Sequence, residues 1–330
     1  MRLRFLMLLL VGIAVFLAMA YYISFEALVE TFTRLSLGHL TLSFVLLLLY
    51  FISRAFRWRM LLSMLKDPGL TLTLTATGMG YFVNVIFPVR LGEIARAVAV
   101  SKKSKVGFMP VFATVVVERV FDLAYLLVAL GLLAAIIGGL VQAEPIKTLV
   151  LVSGIGLIVI VAILLILLKR GTFALRLFNG MVGRILPSSV QNRFTKAIES
   201  IVSGLEQSTA CIKSVKFHLW TLMITLFNIY SLVVLFASTG LQLPLLAIMV
   251  GSTAVALSAI IPAPPGNIGT FELVWVGVFT VLGLGQAQAI SSGIVVHVVQ
   301  TTYLLVIGGI ATLFLGGVRE YIRRKDEEKD

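Results

Sequence analysis

Apolar residues run through this chain in stretches of membrane length, and short basic clusters mark where the stretches end. Arg2 and Arg4 precede an apolar run from Phe5 to Ile23, which passes Ala18-Met19-Ala20 into Tyr21-Tyr22, an aromatic pair suited to a bilayer interface. We read this as an uncleaved first span. A second run, from about Leu37 to Ile52, closes on Arg54, Arg57, Trp58, Arg59 and Lys66, which reads as a basic, aromatic-anchored edge. Because Lys and Arg concentrate on cytoplasmic flanks, the amino terminus and this edge are both placed inside.

The next apolar segment conflicts with that rule if it crosses fully. Were Leu70 to Phe87 a complete span, Arg90, Arg96, Lys102, Lys103 and Lys105 would lie outside. A hairpin resolves the conflict: one arm rises to about Phe87, the backbone breaks from Pro88 to Gly92, and a second arm returns through Ile94 to Val100. Both arms fall short of the roughly 20 residues a full span needs. Irregular backbone at that depth is tolerated only where protein buries it or a wet cavity borders it.

A long outward helix follows from Gly107 to Leu140, then a span from about Thr148 to Leu168 that returns to Lys169-Arg170. From about 188 to 216, Val190, Phe194, Ile198, Ile201, Leu205, Ile212 and Val215 recur at helical or heptad-like spacing opposite Arg193, Lys196, Glu199 and Glu206. This predicts an amphipathic cytoplasmic helix lying on the membrane or the protein body. The chain then crosses outward from about Phe217 to Thr239. The segment 243–284, broken at Pro262-Ala263-Pro264-Pro265-Gly266-Asn267, must start and finish outside, because the last span, about Ala289 to Leu315, ends inside on Arg319, Arg323, Arg324 and Lys325.

The expected fold is all-α and integral to the membrane, one polytopic domain over 1–330 with about six full spans plus two broken re-entrant hairpins. Its halves, about 37–140 and 217–316, share a plan in opposite orientation, the inverted repeat of many transporters. Asn84 precedes Pro88 by four and Ser258 precedes Pro262 by four, and each break holds glycine and ends near a glutamate. On this topology only Arg34 and Lys147, of 27 lysines and arginines, face outward. Both termini are placed on the cytoplasmic side of the cell membrane.

Composition agrees with the pattern and narrows the classes. At 59% hydrophobic and 13% charged residues, with a mean hydropathy of +1.06, the chain is too apolar for a soluble domain. The net charge of +12 sits in clusters beside apolar spans, so it points to membrane flanks and not to nucleic acid. A single cysteine, Cys211, excludes an internal disulfide. His39, His218 and His297 read as isolated, with no carboxylate or cysteine at ligand spacing, so neither a metal nor a cofactor is expected. No phosphate-binding glycine loop with its lysine, and no nucleophilic serine element, is present.

The charges inside the apolar pattern are the candidate chemistry, since ionisable residues at membrane depth are costly. Arg90, Glu93, Arg96, Glu118, Arg119 and Asp122 interrupt the first half, with Glu118 and Asp122 four apart on one helical face. Moving a phosphate headgroup through hydrocarbon requires fixed counter-charges. Arg90 and Arg96 can grip phosphate bidentately, while Glu93, Glu118 and Asp122 hold the arginines when it is absent, meet an amine or carry protons. Backbone amides at Gly92, Gly266 and Gly269, where half-helices begin, are candidate anion donors. Pro88, Pro262, Pro264 and Pro265 keep the breaks open by denying helical hydrogen bonds. Asn84, Asn267 and Glu272 complete the candidate set, with Glu272 capping its helix or pairing across the interface of the halves. The competing interpretation is a structural ion cluster that fastens the hairpin to its neighbour.

Three ordered motifs carry a resemblance: N-x-x-x-P-x-R-x-G-E-x-x-R from Asn84 to Arg96, V-x-E-R-x-x-D from Val116 to Asp122, and I-P-A-P-P-G-N-I-G-T-F-E from Ile261 to Glu272. Together they resemble the transmembrane domain of the lysylphosphatidylglycerol synthase/flippase family, over nearly the whole chain. The resemblance implies a lipid translocase fold, and in some members movement of aminoacylated phospholipid to the outer leaflet. The soluble aminoacyl-transferase domain of bifunctional members is not present, so a stand-alone member is expected and lipid aminoacylation is not carried over. The expected function is translocation of a phospholipid or lipid-linked headgroup, with anionic, aminoacylated or polyprenyl-linked lipids as partners and self-association into a homo-oligomer compatible with the sequence. The alternative is an intramembrane lipid-modifying enzyme using Glu93 or Asp122 as base, or an accessory subunit of a lipid or glycolipid synthesis pathway.

Overall fold

A computed structural model of the chain describes residues 25–88, 90–140, 151–152, 154–159, 208–258 and 264–327, with 148 and 199 as single residues. The first span, most of the 148–168 span, Lys147, Pro262 and most of the amphipathic helix at 188–216 therefore lie outside the described residues. Every regular element among the described residues is helical. They are α1 (Phe25–Thr33), α2 (Leu37–Ser63), α3 (Leu70–Ile86), α4 (Leu91–Ser104), α5 (Phe108–Leu140), α6 (Val215–Ser238), α7 (Leu245–Ser258), α8 (Thr270–Val281) and α9 (Gln286–Glu327). Among these, α2, α5, α6 and α9 are long and apolar enough to cross a membrane, while α3 and α7 are shorter apolar helices. The protein is an integral membrane protein.

The first break forms where the local chemistry requires it. Phe87 leaves the helix in extended conformation (φ −111°, ψ 143°), as a residue before proline prefers. Pro88 brings no N–H to continue the ladder, and Arg90 adopts the left-handed region (φ 54°) before α4 begins at Leu91. The arms then lie close together. A Cβ on Gly92 would stand 1.8 Å from the Gly80 carbonyl oxygen, so only glycine permits this approach. The second break, between α7 and α8, uses Gly266, Asn267 and Gly269 in positive-φ conformations around a single 3-10 turn, Pro265–Asn267.

α2 runs along α6, α3 along α9 and α5 along α7, while each hairpin packs its two arms together. Gly78 and Gly308 let α3 and α9 approach: a Cβ on Gly308 would lie 2.8 Å from the Gly78 carbonyl oxygen. One apolar core gathers Phe236, Phe271, Trp275 and Phe279 around the second hairpin, and another gathers Trp58, Ala97, Val111 and Val115 around the first. Between α2 and α3, Arg59 donates two hydrogen bonds to Asp67, at 2.8 and 2.6 Å. That guanidinium, helped by the Gly69 N–H, holds the Asp67 carboxyl down at about 2.

One sequence expectation fails here. α2 does not end at Ile52 but continues to Ser63, and Arg54 and Arg57 are not a solvated edge: they are 2% and 0% exposed. Leu47, Tyr50, Arg54, Arg57 and Leu61 form one buried stripe at three- and four-residue spacing, which turns both arginines toward α5 and α6. Burial is possible because carboxylates on α5 meet them there.

Candidate functional site

The sequence-predicted charges of the first half converge in a single network, and the arginines of α2 join it. Arg96 pairs with Glu118 at 2.7 Å, and Arg57 reaches Glu118 at 3.4 Å and Asp122 at 2.5 Å. Arg54 pairs with Asp122 at 2.8 Å, and Arg119 pairs with Glu93 at 2.8 Å and Asp122 at 3.6 Å. Arg90 is held least: its nearest carboxylate, Glu93, is 3.9 Å away and already serves Arg119. The remaining valences are largely local. Arg54 donates to Tyr50, whose hydroxyl is 2.6 Å from that of Tyr81, and Arg57 donates to Thr221. Arg96 stacks over Trp58, 4.4 Å from the ring centre, and Trp58 donates to Thr114.

The depth of the network decides which members can meet a ligand. Arg54, Arg57, Arg96 and Glu118 are shut away from any solvent-filled space, and their pairings fasten α2, α4 and α5 to one another. Arg90 and Arg119 instead line a cavity of about 140 Å³ between the two backbone breaks. Tyr50, Tyr81, Asn84 and Phe87 share its wall on the side of the first hairpin. Opposite stand Asn228 of α6, Pro264, Gly266 and Asn267 of the second break, and His297, Gln300 and Thr301 of α9. Leu47, Leu232, Val255 and Leu304 give the same space an apolar side.

Two of the three glycine amides proposed as anion donors are occupied by their own hairpins. The Gly92 N–H donates to Asn84 Oδ1 at 2.8 Å, and the Gly269 N–H donates to Glu272 Oε2 at 2.8 Å. Both are orphan groups at a helix start, and a side chain of the same hairpin satisfies each. Asn84 and Glu272 are thereby assigned as local caps. Gly266 keeps its place on the cavity wall, and its carbonyl accepts from elsewhere.

That donor is His297, which has no carboxylate near it in the sequence. Its Nε2 lies 2.8 Å from the Gly266 carbonyl oxygen and its Nδ1 lies 2.6 Å from Glu272 Oε1. A carbonyl can only accept, so Nε2 carries a hydrogen. A proton must also lie between Nδ1 and Oε1, because two bare lone pairs would repel at that distance. Glu272 thus caps α8 and pairs with His297 of α9. The pair ties α8, α9 and the break into one unit, stacked against Phe271.

The comparisons with known proteins agree with the fold. A family model described as the lysylphosphatidylglycerol synthase TM region matches residues 6–309. A UPF0104 membrane protein of Pyrococcus horikoshii is 23% identical over 328 residues, covering 93% of this chain and 96% of its own length. A second UPF0104 membrane protein, from Methanocaldococcus jannaschii, is 26% identical and matches over 75% of this chain and 99% of its own. A Haloferax volcanii protein named glycosyltransferase AglD is 26% identical over 260 residues, which is 70% of this chain; the match spans 41% of that larger protein.

Proposed function

The chain belongs to the lysylphosphatidylglycerol synthase transmembrane family, and on that premise we propose that it moves a lipid with a charged headgroup between the leaflets of the cell membrane. The observation that carries this reading is the cavity between the two backbone breaks. It combines two arginines, several amides and an apolar flank in one space, which are the surfaces an amphiphile needs while its headgroup is away from water. Broken half-helices that meet at a polar site are also how many transporters place their substrate.

The inverted repeat is part of the proposal, and the packing supports it. Exchanging α2 with α6, α3 with α7, α4 with α8 and α5 with α9 turns the α3 to α9 contact into the α7 to α5 contact, and both occur. It likewise turns each hairpin into the other. With six or so spans and both termini on the cytoplasmic side, the loop between α4 and α5 faces the cytoplasm. Lys102→Cys should therefore be modified by membrane-impermeant maleimide only from the inside, and modification in intact cells would overturn this orientation. The native Cys211 will not compete, since it is 5% exposed and burial pushes its thiol up to about 11.

Translocation is tested directly in proteoliposomes. Purified protein should speed the leaflet exchange of a labelled anionic lipid above the rate in empty liposomes. Equal rates across a broad panel of anionic, zwitterionic and polyprenyl-linked lipids would remove the translocase reading. The second reading, a lipid-modifying enzyme or a partner in glycolipid synthesis, is favoured by the name of the Haloferax relative and by the proton shared between Glu272 and His297. Appearance of a chemically altered lipid in the same liposomes would select it.

A further inference from the structure

The ion network is not neutral. Among the described residues it contains five arginines, Arg54, Arg57, Arg90, Arg96 and Arg119, against three carboxylates, Glu93, Glu118 and Asp122, a surplus of two positive charges. Arginine does not release its proton in proteins, so the surplus cannot be removed by titration. Uncompensated charge at membrane depth is strongly disfavoured. Among the described residues, an anion can reach the network through the cavity, where Arg90 and Arg119 are 23% and 30% exposed.

A cationic headgroup has the opposite problem. Each network carboxylate is already ion-paired, and both oxygens of Glu272 are engaged, one by the Gly269 N–H and one by His297. With its shared proton the Glu272 and His297 pair adds no net charge. An ammonium group entering the cavity would meet two arginines and, among the described residues, no free acceptor of opposite charge. Across from the arginines, the side chains of Asn228, Asn267, Gln300 and Thr301 face the cavity without hydrogen-bond partners among the described residues. They are neutral donors able to reach phosphate oxygens that the arginines leave uncovered.

Resting on the translocase reading above, we propose that this cavity takes a dianionic phosphate headgroup, a lipid phosphate monoester or a sugar-bearing lipid pyrophosphate, and excludes aminoacylated lipid. Two negative charges match the surplus of the network, while a single phosphodiester leaves one positive charge uncompensated. A lysyl ester, with its two ammonium groups on one phosphodiester, reverses the sign.

The test compares labelled lipids in one set of proteoliposomes: a polyprenyl phosphate, a sugar-bearing polyprenyl pyrophosphate, phosphatidylglycerol and lysylphosphatidylglycerol. At least one of the first two should exchange roughly tenfold or more faster than phosphatidylglycerol, a ratio worth about 1.4 kcal/mol, and the lysyl lipid should not exceed empty liposomes. Movement of the monoester alone or the pyrophosphate alone identifies the source, and movement of both shows that charge decides. Lysylphosphatidylglycerol or phosphatidylglycerol exchanging as fast as the dianions would overturn the proposal while leaving translocation intact. Exchange of none of the four would remove both. Arg119→Gln, which lowers the surplus to one while Asp122 keeps Arg54 and Arg57, should shift the preference toward phosphatidylglycerol by a similar factor. A uniform slowing of all lipids by that variant would count against the charge-matching account.

Discussion

Glu118→Ala should leave little folded protein. The carboxylate is fully buried and is the partner of Arg96 at 2.7 Å, a guanidinium that is itself 3% exposed. Arg57 would survive the change, because Asp122 stands 2.5 Å from it. Arg96 would keep only its stack on Trp58. Breaking a buried ion pair from one side costs about 3–5 kcal/mol, a large share of the stability of most domains. It would also raise the positive surplus of the network from two to three. The expected result is a sharp fall in monodisperse protein on size exclusion in detergent and a lower melting temperature in whatever survives. Removing both charges with Arg96→Met and Glu118→Leu should recover most of the loss, since well-packed apolar side chains replace buried ion pairs at little cost. A Glu118→Ala protein with an unchanged melting temperature would mean that Arg96 is not buried against it.

Much of this arrangement was legible in the sequence, and what was missed has a physical reason. Pro88, the glycine after it and the impossible placement of Lys102 and Lys103 located the first hairpin, because backbone breaks and charge asymmetry are local properties. The α5 charges were equally visible, since Glu118, Arg119 and Asp122 stand out of an apolar helix. Arg54 and Arg57 were misread because a basic cluster after an apolar run looks the same whether it meets headgroups or carboxylates. The signal that could have separated the two was present: both arginines continue the buried stripe of Leu47, Tyr50 and Leu61 instead of falling on the opposite face. His297 offered no such signal. Its partners are 25 and 31 positions away across the break, and only folding brings them within hydrogen-bond reach. The free amides expected at Gly92 and Gly269 were lost to caps supplied by Asn84 and Glu272, a competition visible in retrospect from the three-residue spacing of Gly269 and Glu272.

Arg90→Gly should slow lipid movement sharply while leaving the protein at least as stable as before. Of the two cavity arginines Arg90 is the one without a close ion-pair partner: its nearest carboxylate, Glu93, is 3.9 Å away, whereas Arg119 lies 2.8 Å from the same group. Its charge is therefore available to a headgroup in a way that the charges of Arg54, Arg57 and Arg96 are not. A charge-assisted hydrogen bond contributes about 1.5–3 kcal/mol, so losing the contact should slow exchange roughly 10- to 100-fold. The backbone makes glycine a sharper test than alanine. Arg90 has a φ of 54°, in the left-handed region where a Cβ is strained and glycine is not, so the substitution relieves strain as it deletes the side chain. Arg90→Lys retains the charge but loses the planar fork, and should keep part of the rate. Folding is read from the melting temperature and function from leaflet exchange, so the two can be separated. If Arg90→Gly moved lipid at the wild-type rate, the first break would be a structural feature and the headgroup would have to pass elsewhere. If it failed to fold, Arg90 would belong with Arg96 as a fastening of the hairpin, and Arg119 alone would remain to meet an anion in the cavity.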